Sequence, residues 1–496
     1  MNRNTRPFLF FGMILLYFLF LSYQILRSDY VMTDAAWSLW HTPDHHTNLD
    51  FWIPQGRLLT GYMQEWLFAR AGTIANLKYI RLFSCAGWFG CTALLFGILR
   101  RLQRHRDIVL DDSVLLVTVA YFAAGFFTLV SISWTVCVEM FVPTFLSLLA
   151  GLLLFQQTDG ASKRPSVWMM LVILLLGSVS LFFYQTCYPF ILLPLYCLYL
   201  SRKDGKFTAP MLFGILFFFL VLGIYYLLFR YSLHATGYPP SPRTALKFDP
   251  LERLAFFFSP PLNQAFSVNI FFNTGDAFSQ ALFPVLLVAW LLFEFLYRKG
   301  RWLVKLRYVG GLLLWWVLGY LPTLISQETF GPYRSMPVLG TMVLMMIADV
   351  VLPLIKAGRP GEILKFSLIV VFLSWGGLVY YAYLARPLRE EYRAVRKEVV
   401  TRYNTAIRKV VFVCADEDGF LPHYGVRHYK DEFGLPSTYK GWTPEPLVKQ
   451  IVFELTGDRR QAEKLEVSVY EKASQIPDRK VLSDPAVLFI DAHTLF

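Results

Sequence analysis

Between residues 27 and 78 the chain gathers Asp29, Asp34, Asp44, Asp50, His41, His45, His46 and Arg57, although only 17% of all residues are charged. Three kinds of chemistry come into question. An aspartate in apolar surroundings can act as a general base, because desolvation raises its proton affinity. Asp34 (in VMTDAAWSLW) has such surroundings, and Asp29 lies similarly close to the first apolar run. Thr33 or Asp34 could equally cap a short helix over TDAAWSLW. The His and Asp residues of HTPDHH could ligate a metal, but adjacent histidines cannot easily address one ion. No H-x-x-x-H or H-E-x-x-H spacing occurs, so solvated loop residues are the better reading. Arg57, beside Gly56 in PQGRLL, can bind an anion or snorkel at a bilayer surface.

Further candidates recur at the ends of apolar runs. Glu139 lies in WTVCVEMF, Tyr184 and Gln185 follow the next run, and SQETFGPYRSMP holds Glu328, Tyr333 and Arg334. Ionisable groups near a membrane interior are costly and tend to mark function. A guanidinium can clamp a phosphate through paired hydrogen bonds. Singly, each of these residues could do no more than anchor a helix; together they fall in loops expected on one face.

The elements that must hold them are membrane helices. The chain has 496 residues, 55% of them hydrophobic, and apolar runs long enough to cross a bilayer recur from end to end. The expected spans are 7–26, 79–99, 113–131, 138–156, 166–184, 188–200, 209–229, 279–297, 308–325, 337–355 and 364–385, about eleven, with 188–200 short and interrupted by proline. The net charge of +12 does not indicate nucleic acid, because most Lys and Arg sit in short clusters between spans such as RRLQRHR and RKGRWLVKLR. By the positive-inside rule those clusters and the N-terminus face the cytoplasm. Loops 27–78, 132–137, 185–187, 230–278 and 326–336 then face outward, as does the C-terminal segment. The six cysteines are dispersed, without metal or redox spacing. Residues 7–26 lack a cleavage site and read as a retained helix.

Within the first long loop, residues 55–71 place Leu59, Met63, Trp66 and Leu67 on one helical face. This suits an interfacial amphipathic helix, or else the start of the second span. The loop 230–278 is rich in proline and aromatic residues and is expected to be re-entrant or to lie on the bilayer. After residue 385 the composition changes. A charged helix is followed by strands at 410–415, 465–472 and 486–492, and by a helix capped by Thr443 with Pro444 at its first position. This describes a small α/β domain, 386–496, beside a transmembrane domain, 1–385.

TDAAW with Asp34, the long loop to Lys78, PQGRLLTGYMQEWLF followed by KYIRLF with Arg81, and the 386–496 segment together resemble the GT-C class of integral membrane glycosyltransferases. The resemblance covers the whole architecture, through short local motifs. It implies a polyprenyl-phosphate sugar as donor and a glycan or lipid-linked acceptor at the extracytoplasmic face of the inner membrane. It implies inversion at the anomeric carbon with Asp34 or Asp29 as base. Arg334 or Arg57 would neutralise the leaving phosphate, so that no cofactor is required and a divalent cation is optional. The first loop lacks the adjacent acidic pair common in that class, which leaves the base open between the two aspartates. Two other readings stand beside it: an O-antigen polymerase or ligase type of envelope enzyme, which relies on arginines, and a flippase without chemistry. The flippase predicts two related halves with broken helices, and no internal repeat is present.

Overall fold

The computed structural model describes residues 6–44, 47–158, 165–247, 249–267, 277–297, 300–355, 358–416, 420, 422–424, 435–477 and 479–495. Among them, nine helices are long and apolar enough to cross a membrane, and the protein is a helical multi-pass membrane protein. After α1 (Arg6–Leu26) come the short α2 (Ala35–His41) and α3 (Thr47–Trp52), then α4 (Leu58–Ala71) and α5 (Leu77–Gln103). The span α6 (Asp112–Ala124) and α7 (Phe126–Ser133) is broken at Gly125. It leads to α8 (Phe141–Thr158), α9 (Val167–Phe183), α10 (Leu193–Arg202) and α11 (Ala209–Thr236). Two short helices, α12 (Pro250–Phe257) and α13 (Asn263–Phe266), precede α14 (Ala277–Leu292), α15 (Trp302–Leu324), α16 (Pro337–Val351) and α17 (Arg359–Val379).

The centre of the bundle is α6–α7, whose apolar stretch is wholly buried. Helices α1, α11, α14 and α17 turn apolar side chains outward, among them Leu16, Leu216, Val285 and Ile363. Gly376 lets α17 approach closely, since a Cβ there would stand 2.7 Å from that of Ala124 on α6. The stretch expected as a proline-broken span is a 3₁₀ turn, Gln185–Leu192, continued by α10. Cys187 to Leu200 are all buried, so this segment is core. A second 3₁₀ turn, Thr135–Met140, joins α7 to α8. Both turns carry polar side chains into the bundle at one end.

The two ends differ in chemistry. One carries the ion pairs Arg100–Asp112 and Lys203–Asp349. The other carries the described residues of the first long loop, both 3₁₀ turns, and the segments 237–247 and 325–336, with the described residues after α17 bonded to the first loop. Where they are described, the loops expected to lie on one face meet at one end; residues 268–276 of the loop 230–278 lie outside the described residues.

From α17 the chain passes through a π turn at Tyr380–Ala385 into α18 (Arg386–Arg402). The helix from Pro360 to Arg402 has 43 residues, about 65 Å at 1.5 Å per residue, far beyond a bilayer core of about 30 Å. Its charged second half therefore projects from the membrane. The three expected strands are present as β1 (Lys409–Val413), β2 (Glu466–Tyr470) and β3 (Val487–Asp491), parallel and in the order β2-β1-β3. Helix α19 (Pro444–Thr456) covers the sheet through Leu447, Val448, Ile451 and Val452. It starts where expected, but Thr443 makes no capping hydrogen bond; its backbone is already helical, which points the hydroxyl away from the free amides. Gly457 ends the helix in the left-handed conformation, at φ 73°.

This C-terminal segment is bonded to the first loop at several points between Ser437 and Arg459. Glu391 on α18 accepts from Ser437 N, Thr438 N and Thr438 Oγ1, each at 2.8 Å, and Ser437 Oγ donates to Val31 O at 2.6 Å. Gln450 donates to Gly72 O, Glu454 accepts from Ile74 N, and Arg459 pairs with Asp44.

Candidate functional site

Gly56 begins the site. Its φ of 71° lies in the left-handed region, and a Cβ there would collide with Tyr225 Oη. That tight turn sets Arg57 against the 3₁₀ turn after α9. Arg57 Nε donates to Gln185 Oε1 at 3.2 Å, and the guanidinium lies over the rings of Tyr184, at 4.2 Å, and Trp52, at 5.3 Å. Gln185 Nε2 donates in turn to Gln55 O and Tyr225 Oη, and Tyr225 closes the circuit by donating to Gly56 O at 3.1 Å. Arg57 is thus held on two aromatic faces by a connected polar network.

The segment 241–247 straps this corner to the loop before α16. Ser241 N and Thr244 Oγ1 both donate to Pro54 O, while Gln327 N donates to Ala245 O and Lys247 N to Ile325 O. The proline-rich stretch thereby spans two loops that are distant in sequence. Between them lies a half-open cavity of about 490 Å³. Arg57, Tyr184 and Gln185 line it from one side, and Glu328, Arg334 and Ser335 from the other. Arg243 also lines it, paired with Glu328 at 3.3 Å. Its remaining wall is apolar, from Phe219, Leu222 and Tyr226 of α11 and Leu321 and Pro322 of α15. Arg334 packs over Trp134 at 5.0 Å.

Glu139 stands behind this cavity, fully buried. Neither of its carboxylate oxygens has a well-formed hydrogen bond. The neighbouring Gln64 amide is already committed to Trp52 and Val136 O, and Arg57 and Arg334 are the charged neighbours of Glu139. Cys137 has Arg57, Arg334, Glu139 and Asp34 as its charged neighbours; Asp34 itself does not line the cavity.

Asp34 occupies the N-cap position of α2 without a side-chain capping bond. Its Oδ1 accepts from Trp442 Nε1 at 2.7 Å, so the capping alternative is not realised. The preceding Thr33 has φ 40°, a conformation that β-branched residues rarely adopt. The turn is enforced from both sides. Fully buried Arg81 donates to Ser133 O, Ser28 O and Tyr30 O and lies over the Tyr30 ring at 3.6 Å, while Ser437 holds Val31 from above.

The sequence-derived candidates therefore divide. Arg57, Tyr184, Gln185, Glu328 and Arg334 line one cavity, with Glu139 behind them. Arg81 spends its guanidinium on backbone carbonyls, and Tyr333 is buried edge-on against Phe126. Asp29 lies 3.7 Å from Lys78 and neighbours Tyr392 and Glu454, facing the C-terminal segment. His41 and Asp44 pair with each other, and the Tyr238 hydroxyl donates to Asp50. His45 and His46 lie outside the described residues, among which no cluster of His, Cys, Asp and Glu could hold a metal. Helix α4 buries Thr60, Gln64, Leu67 and Phe68 and exposes Tyr62 and Trp66; of the expected face, Leu67 packs inward, Leu59 and Met63 are half-buried and Trp66 lies open. Gln64 is buried because its amide finds two interior partners. Sequence reasoning missed Arg243, Tyr225 and Trp442. Only Arg243 had a signal, as an arginine in the proline-rich stretch YPPSPR.

Glu454 has its carboxyl pK raised by burial at the junction of α19 with the first loop, and Asp29 adds to the shift. Comparison of the chain with known protein families and with curated proteins returns no match.

Proposed function

We propose that the protein is a membrane-embedded glycosyltransferase of GT-C type that moves a sugar from a polyprenyl phosphate to an acceptor hydroxyl. The observation that carries this reading is the cavity that Arg57 and Arg334 line from its two polar sides and α11 and α15 close with an apolar wall. A lipid phosphate has those two characters: an anion that suits paired guanidinium donors and a hydrocarbon tail that suits an apolar wall. In this reading the chain crosses the inner membrane about eleven times, with the N-terminus in the cytoplasm and an α/β domain from residue 386 outside.

The reaction follows from the residues. The acceptor hydroxyl gives its proton to the Asp34 carboxylate as its oxygen attacks the anomeric carbon. The bond from that carbon to the phosphate oxygen breaks with its electron pair, and the sugar is inverted. Charge grows on the leaving phosphate, where Arg57 and Arg334 stabilise it. These cations make a metal optional. Asp29, engaged near Lys78, is the weaker candidate for the base.

A second reading, an O-antigen polymerase or ligase type of enzyme, draws on the same arginines and on the fact that Asp34 does not line their cavity. Binding of undecaprenyl phosphate to the purified protein tests what the two readings share. Arg57→Ala should weaken it at least about tenfold; unchanged binding would remove the basis of both.

A further inference from the structure

The three parallel strands end together, at Val413, Tyr470 and Asp491, and a cavity of about 750 Å³ opens beyond their carboxyl ends. It is separate from the arginine-lined cavity and shares no residue with it. In parallel sheets, ligands bind outside the carboxyl ends of the strands, where neighbouring connections leave in opposite directions.

The lining narrows the ligand class. Asp416, Glu471 and Asp491 bring three carboxylates against the two ammonium groups of Lys440 and Lys472. A phosphate or nucleotide would meet net negative charge, and the strand β1 is not followed by a glycine-rich phosphate loop. A neutral ligand rich in hydroxyls meets no such penalty, because each hydroxyl can donate to a carboxylate or accept from an ammonium. At the rim Trp442 is 55% exposed, an unusually open position for an indole, and offers an apolar face beside polar groups.

Trp442 also joins this cavity to the first loop, because its Nε1 donates to Asp34. We propose that the cavity at the strand ends binds a neutral saccharide, the acceptor glycan, and that Trp442 aligns that glycan with the Asp34 carboxylate. The saccharide site stands on the cavity alone; its role as acceptor site rests on the transferase reading.

The full-length protein in detergent, probed by saturation-transfer NMR and calorimetry with short neutral gluco-, manno-, galacto- and N-acetylglucosamine oligosaccharides, tests this. At least one series should bind, and Glu471→Gln and Trp442→Ala should each weaken it about tenfold or more. Glu471 is exposed, so its variant folds normally even if Trp442→Ala does not. Binding of undecaprenyl phosphate should be unchanged in Glu471→Gln. Absence of binding by every series overturns the proposal. So does equal affinity in Glu471→Gln, or preferential binding of inorganic phosphate or ATP. These measurements need no donor, so failure of the transferase reading is seen separately, as a polyprenyl-phosphate sugar left unconsumed. Saccharide binding without donor consumption overturns the acceptor role.

Discussion

Replacing Asp34 with Asn separates chemistry from structure more cleanly than any other change in this protein. The Asp34 carboxylate holds the Trp442 indole at 2.7 Å, and the amide oxygen of Asn can accept the same bond. What is lost is the charge on the acceptor. Charged hydrogen bonds are worth about 1.5–3 kcal/mol and neutral ones about 0.5–1.5, so the structural cost is about 1 kcal/mol. Solvent around this partly exposed pair reduces it further. For a chain of this size that corresponds to at most a few degrees in Tm. Loss of a general base costs about 10²–10⁴ in rate, or about 3–5 kcal/mol of barrier. Transfer from a radiolabelled polyprenyl-phosphate sugar in native membranes should therefore fall by two to four orders of magnitude while the melting curve barely moves. Trp442→Phe is the matched control: it deletes the hydrogen bond, keeps the carboxylate and the ring, and should cost turnover about tenfold or less. An Asp34→Asn protein within about threefold of the parent rate refutes the base assignment and favours the arginine-based polymerase or ligase reading.

Other perturbations report on the rest of the site. Arg334→Lys keeps the charge but not the paired donors, and should weaken undecaprenyl phosphate binding by about tenfold in a calorimetric titration; equal affinity would count against a clamp. Gly56→Ala forces a Cβ into a left-handed turn already closed by Tyr225 Oη; a loss of about 1–3 kcal/mol, read as a lower Tm, is expected along with weaker lipid-phosphate binding. The raised pK of Glu454 implies that its contribution to docking of the C-terminal segment is full below the ordinary carboxylate pK and lost as pH rises through the raised value. Glu454→Gln should flatten that pH dependence of Tm, since the amide still accepts from Ile74 N; an unchanged slope would place the pH dependence elsewhere.

The membrane architecture was legible in the residues because a bilayer admits few solutions. Apolar runs of sufficient length must become helices with every backbone group paired. The strands after residue 408 were legible for a related reason, their dense β-branched and aromatic runs. Several polar candidates also survived, because a charged or amide side chain at the end of an apolar run has few places to go. Arg57, Gln185 and Arg334, each weak alone, line one cavity.

What local pattern did not contain was partnership across the chain. Nothing near Trp442 in sequence announces that it bonds to Asp34, 408 positions away, or that Glu391 is sealed by Ser437 and Thr438. Arg81 and Arg57 look alike as lone arginines near a span. One is consumed by backbone carbonyls under a strained turn and the other is stacked at a cavity. Periodicity also counts Gln64 of α4 as polar and cannot see the two partners that make its burial favourable. Sequence alone determined that the chain is a helical multi-pass membrane protein, since hydrophobicity is a property of each segment by itself, but not that 188–200, expected as a span, would be buried core. Tertiary structure decided which polar groups line a cavity, because that depends on whether the other end of the chain has already satisfied them.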